Sequence, residues 1–155
     1  MRRIALAVLA AVALVPGAAR AGSDSTSFTV NATVTNHCTI SGPGSVTFPS
    51  WDMANPTSVT GVLTVACTKG ASYSMVLTSA NAWTMKGTGT DALTYVIYQP
   101  KADGSADTTT QWNTTPYSYT STSRAAKGLT FTASVQPQDV AAGAYSDTVT
   151  ATINF

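Results

Sequence analysis

The chain has 155 residues, of which eight are basic, seven are acidic and only 10% are charged in all. No glutamate occurs and like charges form no run, so neither nucleic acid nor an anionic membrane surface is expected as a partner. Two cysteines and one histidine leave little material for metal or nucleophilic chemistry.

Met1-Arg-Arg forms a basic head, Ile4 to Val15 an apolar run, and Ala19-Arg-Ala21 an A-x-A cleavage signal. The run is too short to span a bilayer as a helix, and Pro16-Gly17 breaks it. Residues 1–21 are therefore expected to be a secretory signal peptide, with no stable membrane insertion of the mature chain. Arg2, Arg3 and Arg20 leave with it, so five basic residues remain against seven aspartates, a net charge of −2. Removing 21 residues from 155 leaves 134, enough for one domain with its own core.

Phe28, Val30, Ala32 and Val34 alternate with Thr29, Asn31, Thr33 and Thr35, the period of a strand with one apolar face. Segment 22–36 reads as an N-terminal arm or as a first strand, ahead of a domain at 37–155. Asn36-His-Cys-Thr-Ile40 is β-like, and Val46-Thr-Phe48 is a short strand stopped by Pro49. Val59 to Cys67 is a longer, more apolar strand, and the Lys69-Gly-Ala turn leads into Tyr73 to Leu77. Leu93 to Tyr98 is a strand that ends before Pro100. Gln99 to Asn113 is polar, and Thr114 to Lys127 is rich in Tyr, Ser and Thr; both are expected as surface loops or weak edge strands. Leu129 to Val135 alternates again, and Pro137 and Gly143 lead into the last strand.

That last strand carries Val149, Ala151, Ile153 and Phe155 on one face and Thr148, Thr150, Thr152 and Asn154 on the other. The first set is expected to be buried. No partner strand follows it, so its outer edge is expected to stay open. Strands at this spacing, with no long helical period, predict an all-β antiparallel sandwich.

In an exported chain Cys38 and Cys67 are expected to form a disulfide tying two strands. Closing such a loop stabilises by about 3–4 kcal/mol on the chain-entropy estimate. No C-x-x-C occurs, no G-x-S-x-G elbow accompanies His37, and no glycine-rich phosphate loop is present. No catalytic, cofactor-binding or metal residue is therefore assigned. Asp52, Asp91, Asp103, Asp107, Asp139 and Asp147 stand singly and suit turn and surface positions. Trp51, Trp83 and Trp112 lie near turns; at least one is expected in the core and the others at its ends.

Cys67-Thr-Lys-Gly-Ala-Ser-Tyr73, Asp91-Ala-Leu-Thr-Tyr-Val-Ile-Tyr98 and Ala142-Gly-Ala-Tyr-Ser-Asp-Thr-Val-Thr-Ala-Thr-Ile-Asn-Phe155 resemble the spore coat protein U domain family. That family includes pilin subunits of archaic chaperone–usher pili. The resemblance spans nearly the whole mature chain. It departs at Trp112-Asn-Thr, where the family often has tryptophan then glycine, and at Tyr117 to Lys127. It implies an immunoglobulin-like sandwich that is incomplete, its last strand missing and supplied in trans. A periplasmic chaperone would lend that strand first, holding the Phe155 carboxylate, and a neighbouring subunit's arm would replace it at an outer-membrane usher. Phe28, Val30, Ala32 and Val34 would then be the donor strand. Val149, Ala151, Ile153 and Phe155 would edge the acceptor groove.

The reading that follows is a non-enzymatic subunit of a pilus or other fibre, exported through the periplasm to the cell surface. One alternative is a tip adhesin binding through Trp83, Trp112 and the Tyr117–Tyr119 loop. Another is a self-contained spore or cyst coat protein.

Overall fold

The computed structural model describes residues 21–50 and 54–155. The expected signal peptide lies outside the described residues except for Ala21, and so do Trp51 and Asp52. The described residues fall into two units that divide between Thr33 and Val34. In the first, residues 21–33 are exposed and belong to no strand.

The second unit is built from β1 (Cys38–Ser41), β2 (Thr57–Cys67), β3 (Ser72–Ser79), β4 (Thr84–Lys86), β5 (Ala92–Tyr98), β6 (Tyr117–Thr120), β7 (Lys127–Val135) and β8 (Val149–Asn154). They form two sheets, ordered β1-β2-β7-β5-β4 and β6-β3-β8, and every pairing is antiparallel. Alternation decides what each sheet turns inward. β2 contributes Leu63, Val65 and Cys67, and β7 contributes Leu129, Phe131, Ala133 and Val135. Tyr73, Met75 and Leu77 answer from β3. The shared core between two such faces makes a sandwich.

Gly61 stands opposite Phe131 in the β2–β7 register. A Cβ there would lie 2.3 Å from Phe131 Cζ, so the bare backbone makes room for the ring. Glycine weakens a strand interior, and here the close approach of an aromatic ring accounts for it.

Several expectations need correcting. Val46-Thr-Phe48 forms no strand; Pro43 and Pro49 bracket it, and each lacks the N–H that a ladder uses. Val46 and Phe48 still pack partly against the core. The tract from Gln99 to Asn113 is largely exposed and holds no named strand, as expected, but it is tied to the core. Trp112 N–H donates to the Ile97 carbonyl at 2.7 Å, and Tyr98 bridges Gln111. Trp112 itself is 1% exposed, and its Nε1 donates to the Met75 carbonyl at 3.1 Å. One indole, with its large apolar area and its donor satisfied, anchors a polar tract to the core. β6 is the edge strand that the Tyr-rich segment allowed, while β4 was not foreseen at all.

Candidate assembly edge and its anchor

Cys38 and Cys67 are direct partners in the β1–β2 register and are joined by a disulfide. Both are buried. The next residue, Thr68, clips the chain entering β1. Its N–H donates to the His37 carbonyl at 2.9 Å, and its hydroxyl accepts from His37 N–H at 3.1 Å and donates to the Thr35 carbonyl at 3.2 Å. β1 pairs with β2 alone, so its other edge is unpaired among the described residues.

β8 is the matching edge of the smaller sheet. It pairs with β3 from Ser79↔Val149 to Ser74↔Asn154 and with no other strand. The face expected to be buried is only half covered. Ala151 and Ile153 pack partly against the core, whereas Val149 is 37% and Phe155 55% exposed. The physical reason is its place in the order: β8 ends the smaller sheet, and among the described residues no strand pairs with its outer edge. At the C-terminal end the Phe155 ring meets His37 edge-on, with centroids 6.3 Å apart. The end of β8 therefore adjoins the entry to β1.

Exposed apolar side chains concentrate in two places. Among the described residues the exposed large hydrophobics are Phe28, Val30, Val34, Val62, Val149 and Phe155. Phe28, Val30 and Val34 lie in the alternating arm, where Ala32 is exposed too. Val149 and Phe155 lie on the β8 face.

The N-terminal end of β8 is held by Asp147. Its Oδ2 accepts from Ser79 Oγ at 2.5 Å and from the Tyr95 hydroxyl at 2.6 Å. Its Oδ1 accepts from Asn81 Nδ2 at 3.0 Å, Asn81 N–H at 3.2 Å and Thr148 N–H at 2.7 Å. Burial alone would raise its pKa, but the donations from Ser79, Tyr95, Thr148 and Asn81 outweigh it and hold the carboxyl below its ordinary value. Tyr95 moves the other way: burial first, then the adjacent Asp147, push its hydroxyl pKa well up.

The same cluster fixes the turn after β3. Ala82 and Trp83 sit at φ 52° and 63°, a left-handed region that non-glycine residues seldom occupy. Ser79 Oγ holds them by accepting from Asn81 N–H at 3.1 Å and Trp83 N–H at 2.7 Å. Sequence reasoning gave Asp147 a generic turn or surface role. The missed signal was its place, one charged residue directly ahead of an uncharged alternating strand.

The remaining candidates are dispersed. Trp83 is half-buried against Tyr95, Tyr117 is buried with Trp112, and Lys127 Nζ lies 4.7 Å over the Tyr119 ring. The aromatic set suggested for an adhesin is thus mostly interior. Asp91 accepts from Ala141 N–H, while Asp103 and Asp107 bond within their own turns. Among the described residues, no group of three His, Cys, Asp or Glu side chains could hold a metal ion.

A family model described as the Spore Coat Protein U domain matches residues 24–152. Among solved structures, a chain matches from the CsuC-CsuE chaperone–tip adhesion subunit pre-assembly complex of the archaic chaperone-usher Csu pili of Acinetobacter baumannii. The identity is 20% and the TM-score 0.53, over 79% of this chain and 40% of that one. At that identity the likeness is one of fold. No curated protein sequence matches the chain.

Proposed function

The chain belongs to the Spore Coat Protein U domain family, and from that premise we propose that it is a structural, non-enzymatic subunit of a chaperone–usher surface fibre. The observation that carries the proposal is the placing of exposed apolar residues: Phe28, Val30 and Val34 in the arm, Val149 and Phe155 on the β8 face. Each set alternates with polar residues, as two strands must if one is to fill the other's missing neighbour. The unpaired N–H and C=O groups of β8 would receive the donor backbone, and its half-covered face would receive alternate donor side chains.

Burying Phe28, Val30 and Val34 would contribute roughly 5–9 kcal/mol before ordering costs are subtracted. The donor and acceptor surfaces differ, so the contact is heterologous and propagates as a fibre. A periplasmic chaperone would cover the groove first, and an outer-membrane usher would host the exchange. A signal peptide at residues 1–21 would route the chain to the periplasm and then to the cell surface.

The test is gel migration of the exported protein, unboiled against boiled, with and without residues 22–35. The expected result is a heat-sensitive ladder that vanishes with the deletion and with Val30→Asp or Val34→Asp. A monomer that unfolds alike in every form would overturn the donor-strand reading.

A further inference from the structure

We propose that Asp147 is the register pin of β8, a positioning residue that decides which side chains of the terminal strand line the groove. Its value to assembly rests on the donor-strand reading; the pin itself does not.

β8 needs a pin because its own sequence specifies register weakly. Thr148-Val-Thr-Ala-Thr-Ile is nearly repetitive, with threonine at every second position. A slip of one residue would turn the apolar face outward. A slip of two would keep that face inward but carry each side chain about 7 Å along the groove. A strand between two neighbours is held against such slips by two ladders. β8 has only the ladder to β3.

Asp147 removes the degeneracy from just outside the strand. Ser79, which donates to Oδ2, is itself the register partner of Val149, so the bond is made beside the first pair of the ladder. Tyr95, the other donor to Oδ2, lies on β5 in the opposite sheet. The carboxylate is therefore tied to both layers of the sandwich. Backbone bonds reinforce it: Ala80 N–H donates to the Thr148 carbonyl at 2.9 Å, and Ser146 exchanges bonds with Lys86 of β4 at 2.8 and 3.0 Å. A slipped β8 would have to withdraw Asp147 from Ser79, Asn81 and Tyr95 together. Nothing later in the strand combines side-chain bonds to both sheets in this way. A donor strand would accordingly meet Val149, Ala151 and Ile153 at fixed heights.

Cross-strand cysteines in the full-length exported protein test the idea. Thr78 and Thr150 are exposed register partners, so Thr78→Cys with Thr150→Cys reports the native register. Thr78→Cys with Thr152→Cys reports a slip of two. With Asp147 present, mild oxidation is expected to favour the first bridge by at least about tenfold. Asp147→Ala is expected to bring the two yields within about threefold of each other. Tyr95→Phe removes one bond and keeps the ring, so it should narrow the ratio by a smaller margin. Should Asp147→Ala fail to accumulate, Tyr95→Phe with Ser79→Ala carries the test. An unchanged ratio in these variants overturns the pin, since a generally weakened fold lowers both yields without exchanging one for the other. The ratio is read whether or not subunits polymerise. Absence of a heat-sensitive ladder in the unmodified chain therefore counts against the donor-strand reading and leaves the register result standing.

Discussion

β7 and β8 are written alike and end differently. Each alternates small or polar residues with apolar ones, yet β7 buries Leu129, Phe131, Ala133 and Val135, while β8 leaves Val149 and Phe155 exposed. The difference is in neighbours. β7 lies between β2 and β5, and β8 has β3 on one side and, among the described residues, no strand on the other. Alternation states which side chains share a face; the strand order decides whether that face is covered. An apolar face left half-covered on an edge strand is the physical basis for proposing β8 as an acceptor edge.

Paired truncations on the two strands put the contrast to its hardest test. Leu129 is fully buried, so Leu129→Ala should cost about 3 kcal/mol or more in a urea titration. Ile153→Ala removes the same three carbons from a half-covered site and should cost only about 1 kcal/mol in the lone subunit. Adding a peptide of residues 22–35 should raise the Ile153→Ala penalty toward that of Leu129→Ala. Equal penalties without peptide would mean that the β8 face is already closed.

The second edge, β1, carries a different device. It is four residues long and pairs on one side only, and the Cys38–Cys67 disulfide closes a loop of sequence separation 29 across it. Cys38→Ala with Cys67→Ala should lose about 3 kcal/mol, read as a lower urea midpoint. Reducing the native bridge should give the same shift. If reduction leaves the midpoint in place, β1 is held by its ladder and by Thr68 alone.

How far the sequence disclosed this follows from the range of each interaction. β2, β3, β5, β7 and β8 were legible because alternation is local to a strand. The cysteine pair was legible because an exported chain with two thiols has one pairing to make. A core tryptophan was expected too, but not which one, since the burial of Trp112 depends on Met75 and Ile97 elsewhere in the chain. Asp147 was not legible: its partners Ser79, Asn81 and Tyr95 converge only once both sheets are in place. Val46 to Phe48 misled in the opposite sense, offering strand residues where flanking prolines deny a ladder. The arm at 22–36 and the β8 face were both visible as apolar alternation, but only the fold distinguishes a covered face from an open one.

Acid separates the two regions by a smaller margin. Asp147 has a folded pKa below its ordinary value, and the unfolded chain should titrate near about 3.9. A depressed carboxylate contributes stability that is fully present above the unfolded value and is lost as pH falls through the folded one. Asp147→Asn should therefore be less stable than the parent at neutral pH, and the gap should shrink as the solution is acidified below about pH 4. Asp103 and Asp107 also titrate low, but both remain in the variant, so the difference between the two chains isolates Asp147. Leu129→Ala supplies the contrast, since it touches no titrating group and its penalty should stay level over the same range. A gap for Asp147→Asn that is equally level would mean that the β8 anchor works by shape and neutral hydrogen bonds, with the carboxylate charge contributing nothing.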